Sequence, residues 1–170
     1  VQNPAGDIEE MIIAKLYYEQ YGLKIAVARP GNVYGLDDHS GKERGRVIPT
    51  FIDKAKRNED ISIWGDGLEQ KSFLHISDLV CSLLNLTELY PTCDPVNLAG
   101  IEIIRIRKLA NKIVDIVGSK SKLVFNKIQV ASNARRRVID TTKAKEVISF
   151  SPIFSLDEGL RNTIDYYRKI

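Results

Sequence analysis

Arg29-Pro30-Gly31-Asn32-Val33-Tyr34-Gly35 closes the apolar run Leu23 to Ala28, and this junction decides the fold. Lys24-Ile25-Ala26-Val27-Ala28 is short and rich in β-branched and apolar residues, the pattern of a strand buried on both faces of a parallel sheet. Pro30 has no N–H to give a ladder, so the strand is expected to end there. Gly31 and Gly35 then permit a sharp turn that exposes Asn32 and Tyr34 at the carboxyl end of the strand, the end at which open α/β sheets bind ligands.

Working outward, Asp7 to Tyr21 reads as a helix with Ile8, Met11, Ile12 and Leu16 on one face and Gly22 as its stop. A polar loop from Leu36 to Arg46 holds His39, read as solvated. Val47 to Arg57 is predicted helical and Asp60 to Trp64 a strand, followed by a Gly65-Asp66-Gly67 turn. Phe73 to Ile76 is a second short strand, with His75 packed between apolar neighbours. Ser77 or Asp78 is expected to cap the next helix, which has Leu79, Leu83 and Leu86 on one face and a buried Cys81. Pro95 to Leu98 reads as a strand returning to the main sheet. Ile106, Leu109, Ala110, Ile113, Ile116 and Val117 stripe a further helix that Gly118 closes, and Leu123-Val124-Phe125 is another strand. Thr141 to Ile148 is a short helix, and Ser155 with Glu158 forms a capping box for the last one, Leu156 to Arg168. Strands alternating with helices define an α/β architecture.

The composition, 44% apolar and 28% charged over 170 residues, is that of a single globular unit. A net charge of +3 does not point to nucleic acid, and no apolar run approaches the roughly 20 residues that cross a bilayer. Cys81 and Cys93 give neither metal-ligand spacing nor a disulfide framework, so a reducing, cytoplasmic setting and no metal are expected.

The helix-strand-turn sequence from Asp7 to Gly35 resembles the extended short-chain dehydrogenase/reductases that act on nucleotide sugars, the NAD-dependent epimerases and dehydratases. Further stretches fit in the same order: Val47 to Ile52, Ile63-Trp64-Gly65-Asp66-Gly67, Phe73 to Val80, Asp140-Thr141-Thr142-Lys143-Ala144-Lys145, and Ser155 to Leu160. The resemblance implies the carboxyl-terminal part of a Rossmann-type parallel sheet plus a small α/β substrate-binding lobe. Residues 1–35 would be the remnant of the dinucleotide-binding domain. Residues 36–170 would be mainly the nucleotide-sugar lobe, with the strand at about 95–98 returning to the main sheet.

What the resemblance implies about the site follows residue by residue. Lys71 stands where the family usually has an arginine on the diphosphate; it keeps the positive charge without the bidentate fork, and a solvated surface lysine is the competing reading. Arg137, and next to it Arg135, match an arginine that reaches the diphosphate or sugar, and the same Arg135-Arg136-Arg137 run equally suits a solvated basic edge. Asn32 matches a contact to the sugar nucleotide, and Pro30 lies where the backbone passes the nicotinamide. Val47 to Phe51 and Ile63-Trp64 resemble the segments that sandwich the base; Trp64 is either a stacking platform or a core aromatic. The helix at 7–21 corresponds to one that builds a homodimer in the family.

The departures lie in the catalytic half. The family resembles a proton relay in which a Tyr, its pKa lowered by a Lys four residues on, deprotonates substrate as NAD takes hydride. The matching positions hold Gln2 and Gly6, and no Tyr in the chain has Lys four residues on. No G-x-G-x-x-G loop is present, and Ile101 and Arg105 replace the usual glycine and Ser/Thr cap before the Ile106 helix. The expectation is therefore the carboxyl-terminal, substrate-binding portion of an NAD-dependent enzyme acting on a UDP-, dTDP- or GDP-sugar. NAD binding by this chain would be weak or absent, and the catalytic elements would lie upstream of Val1. The alternatives are a non-catalytic relic that binds a nucleotide sugar or a protein partner and, more remotely, a basic RNA-binding domain built on Arg135 to Arg137 with Lys42, Arg44 and Arg46.

Overall fold

The computed structural model describes residues 4–36, 46–126 and 138–169. In chain order the elements are α1 (Pro4–Tyr21), β1 (Ala28–Pro30), β2 (Asn32–Tyr34), α2 (Val47–Lys56), β3 (Ile61–Trp64), β4 (Gln70–His75), α3 (Ile76–Leu89), β5 (Val96–Leu98), β6 (Ile103–Arg105), α4 (Ile106–Val117), β7 (Leu123–Asn126), α5 (Thr142–Ile148) and α6 (Leu156–Lys169). β1 pairs parallel with β5, β3 pairs parallel with β7, and β4 lies between parallel β2 and antiparallel β6. The architecture is mixed α/β, and β5 pairs with β1.

Side chains of β4 alternate between two cores because successive strand residues point to opposite faces. Phe73 packs against the core formed by α2, β3, α4 and α6, which contains Ile48, Ile52, Ile61, Ile63, Leu109, Ile113, Leu160 and Ile164. Leu74 enters the other core, with Leu79 and Leu86 of α3, Val96 and Leu98 of β5, and Ile148 and Phe150 at the end of α5. Each fully buried aliphatic side chain contributes about 1.5–3 kcal/mol. Loss of either face of β4 would therefore open a core.

Several expectations are corrected. Ile25 to Ala28 are half-buried, not buried on both faces, because the segment pairs along one edge: the register runs Ala28 to Pro30 against Val96 to Leu98, with one bridge from Ile25 to Thr92. Asn32 to Tyr34 is not a turn but a strand on β4, and that pairing buries Tyr34. The α3 cap is His75, whose Nδ1 accepts from the Ser77 amide at 3.4 Å. Asp78 is buried and employed elsewhere, accepting from the amides of Ile153 and Phe154 at 2.9 and 3.2 Å. Cys81 is exposed and Leu83 lies at the edge of its helix face. On α1, Ile12 and Leu16 of the apolar stripe are exposed, as are Ile13 and Tyr17 beyond it, while Met11 is half-buried and accepts from Arg29. His39 and Arg135 to Arg137 lie outside the described residues.

The Ser155–Glu158 capping box forms as read. The Glu158 carboxylate accepts from both the amide and the hydroxyl of Ser155, and the Glu158 amide donates to Ser155 Oγ at 3.3 Å. The closest backbone approach is at Gly100. A Cβ placed there would sit 2.0 Å from the Phe73 carbonyl oxygen, and backbone cannot step aside as a flexible side chain can. Gly100→Ala is expected to cost about 3 kcal/mol or more by driving β4 from its place. Urea unfolding monitored by circular dichroism checks this; a midpoint equal to that of the parent chain would contradict it.

Candidate functional site

β2 and β4 set one face of the central ladder. Asn32 lies opposite Phe73 and Tyr34 opposite His75. Alternation along β4 adds Lys71 to the face that carries Phe73 and His75. One end of this face is closed. Tyr34 and His75 are buried there, their rings 5.4 Å apart, with Phe154 against the imidazole at 4.3 Å. Gly159 of α6 passes so close that a Cβ would meet the Tyr34 hydroxyl at 2.1 Å. The other end is open: Asn32 is exposed, and its Nδ2 donates to the Ser72 carbonyl at 3.0 Å, between Lys71 and Phe73. Lys71 is a quarter exposed and pairs with Glu69 at 3.4 Å. The structure thus brings Asn32 and Lys71 together on adjacent strands.

Pro30 ends β1 one residue before β2, with the Gly31 amide donating to the Leu98 carbonyl at 2.8 Å. Val47 is the first residue of α2. Phe51, one turn later, is 6% exposed, so its ring belongs to the core. Lys54 donates to Ser62 Oγ at 3.3 Å and ties α2 to β3. Trp64 ends β3 with 69% of its surface exposed, which removes the core-aromatic reading. Leaving so large an apolar ring in water forgoes burial worth about 1.5–3 kcal/mol. Arg135 and Arg137 lie outside the described residues.

The titratable groups limit what this face can do. Burial, then Glu102, then Asp78 push the Tyr34 phenol far above its ordinary range, so it keeps its proton and is no base. Burial holds the His75 imidazole below its ordinary value against the opposing pull of Asp78, so it is neutral near pH 7. Its Nδ1 accepts, which puts the proton on Nε2, and Nε2 is buried without a partner among the described residues. Among the described residues, neither Tyr34 nor His75 is a poised acid or base.

Sequence reasoning passed over β6, Gly100 and the structural part played by Asp78. It noted Arg105 as a missing cap, yet α4 starts without one. The Ile106 amide donates to the Glu69 carbonyl and the Arg107 amide to the Gly67 carbonyl, both at 3.0 Å, so the preceding turn does the capping.

The model of the NAD dependent epimerase/dehydratase family matches residues 10–99, and this chain belongs to that family. It is 39% identical over 159 residues to dTDP-4-dehydro-6-deoxy-D-allose reductase of Streptomyces bikiniensis, covering 92% of this chain and 47% of that protein. Among solved structures, UDP-glucose 4-epimerase of Thermotoga maritima with UDP-glucose is 29% identical with a TM-score of 0.86, covering 95% of this chain and 52% of the other. The Bordetella bronchiseptica enzyme WbmF, in complex with NAD+ and UDP, is 26% identical with a TM-score of 0.83, covering 94% and 50%. The chain spans between about a third and a half of the length of the curated relatives it matches. No helix among the described residues is long and apolar enough to cross a membrane.

The neutral His75 makes stability pH-dependent with a defined sign. Its pKa in the fold is below that in the unfolded chain, so the unfolded chain takes up the proton first. The contribution is full above the unfolded value of about 6.5 and is lost as pH falls from there through the folded value. Unfolding free energy should therefore fall as pH drops below about 6.5. In His75→Asn, which keeps a capping side chain, the chain should be less stable at pH 8 but with a flatter slope. Urea midpoints at pH 8 and 5.5 read this; equal slopes in both proteins would count against it.

Proposed function

We propose that these residues are the carboxyl-terminal, substrate-binding portion of an NAD-dependent enzyme that acts on a UDP-, dTDP- or GDP-linked sugar. Residues 1–35 belong on this reading to the dinucleotide-binding part and 36–170 mainly to the sugar-nucleotide lobe. The observation that carries it is that Asn32 and Lys71 lie on the same open face of the adjacent strands β2 and β4. Lys71 meets the diphosphate, exchanging its contact with Glu69 for a phosphate oxygen, and Arg137 and Arg135 add charge to the same group. Asn32 holds the sugar nucleotide, and Val47 and the exposed indole of Trp64 flank the base. Phe51 supports Val47 from the core rather than touching the ligand.

For NAD the chain fits only one end of the cofactor. Pro30, at the carboxyl end of β1, passes the nicotinamide, while no glycine spacing in the sequence suits the pyrophosphate. NAD supplies hydride transfer when bound. The reading assigns its phosphate loop and the Tyr/Lys pair to protein beyond these 170 residues, in a cytoplasmic enzyme. UDP-glucose titration by calorimetry tests the site. Lys71→Ala is expected to weaken binding by about 1 kcal/mol or more, roughly fivefold, and Trp64→Ala by a similar factor. Parent-like affinity in both variants would remove these residues from the site.

The reading also gives α1 a partner. Ile12 and Ile13 are each 55% exposed and Tyr17 50%, an apolar surface on more than one side of a helix that needs cover. Pairing with α1 of a second copy supplies it in a homodimer. Sedimentation equilibrium should show association that Ile12→Glu with Leu16→Glu abolishes. A parent chain monomeric at all concentrations would overturn this.

A further inference from the structure

A second cleft lies on the side of β3–β7 that Trp64 does not occupy. Parallel register sets Leu123 beside Ile61 and Phe125 beside Ile63, whose side chains enter the core. Ser62 and Trp64 point to the other face. The cleft has a volume of about 550 Å³, within the range of small-ligand pockets, and is lined by Arg105, Arg107, Lys108 and Asn111 of the start of α4 and by Leu123 and Phe125 of β7. None of the three cations has a carboxylate within ion-pair distance among the described residues, and no acidic residue stands in the first turn of α4. By contrast, Lys112 on the same helix is paired with Asp157. Like charges left together at the positive end of a helix repel one another and the helix dipole, and a bound anion relieves both. The first amides of α4 are already bonded to Gly67 and Glu69, so the attraction comes from the side chains.

The apolar half of the cleft narrows the ligand. Phe125 leaves 48% of its surface exposed beside the cations. Gly67, with φ +68, lets the two halves meet: a Cβ there would lie 2.9 Å from Arg107 Cβ and 3.2 Å from Phe125 Cε1. Guanidinium groups for phosphate, an aromatic face for a flat ring and the Asn111 amide for hydrogen bonds fit a nucleotide. Tracking a nucleic acid strand takes successive aromatic platforms, and this cleft has one.

We infer that this chain carries a second anion site, separate from the face of Asn32 and Lys71, in which Arg105, Arg107 and Lys108 hold the phosphates of a nucleoside diphosphate and Phe125 stacks on its base. The test uses the Lys71→Ala/Trp64→Ala double variant, which weakens the first site and leaves the cleft intact, titrated with ADP by calorimetry. Binding should persist in that background. Adding Arg107→Glu should weaken it at least tenfold, as should Lys108→Glu in a separate protein, and Phe125→Ala should weaken ADP severalfold while leaving inorganic pyrophosphate unchanged. Far-ultraviolet circular dichroism confirms that each variant keeps its helices. No ADP binding in the double variant at millimolar concentration, or binding indifferent to both charge reversals, would overturn the proposal. So would affinity for oligonucleotides that rises with their length, which would make the cleft a nucleic-acid surface. Loss of UDP-glucose binding on Lys71→Ala alone bears on the first site and leaves this one standing.

Discussion

The alternation of side chains along β4 is the constraint on which the rest depends. A strand of six residues, Gln70–His75, sends Phe73 into one core and Leu74 into the other, and carries Lys71 and His75 on the Phe73 face. A slip of one residue would reverse every assignment, putting Phe73 or His75 where Leu74 now sits and turning Lys71 to the opposite face. Register is pinned from outside the strand. Gly100 allows backbone to approach the Phe73 carbonyl, β2 fixes Asn32 opposite Phe73, and β6 fixes Ile104 opposite Lys71.

The face so fixed grades from dry to wet. At its closed end, α6 presses Gly159 onto Tyr34, and the turn before α6 is fastened by Asp78, whose carboxylate takes the amides of Ile153 and Phe154. A buried carboxylate with two amide partners is well satisfied, whereas His75 Nε2 nearby is not. Protonating the ring would bring a charge into this buried site and take away the Nδ1 acceptor that the Ser77 amide uses, against the opposing pull of Asp78. At the open end, Asn32 and Lys71 reach water from strands held by both cores. These polar groups are thus mounted on rigid backbone.

How much was legible follows from the range of the forces involved. Helices α2, α4 and α6 announce themselves by apolar spacing, and Ser155 with Glu158 marks the α6 start, because those signals are local. The strand Ile61–Trp64 was legible for the same reason. β2 was read as a turn because Gly31 and Gly35 flank it, yet its extended form comes from a partner forty residues away. Cys81 and Leu83 were misjudged because helix spacing says which residues share a face, not where burial stops. Of the candidate site, residue types and order were legible through family resemblance. That Trp64 is exposed and Phe51 buried was not, since both sit in apolar words and only packing separates them.

The connection from Gly65 to Glu69 joins the face of Asn32 and Lys71 to the cleft beside Phe125. Its Asp66 side chain accepts from the Leu68 amide at 2.9 Å, shaping a tight turn, and Gly65 donates to Asn126 at the end of β7. From there the carbonyls of Gly67 and Glu69 cap α4, and the chain runs directly into Lys71. A serine or threonine at Arg105 would do that capping with its own side chain. Because the turn has taken over, position 105 is released from the task and free to carry charge. The departure from the family's cap, read first as a defect, is therefore compensated by backbone and leaves a cation facing the cleft beside Phe125.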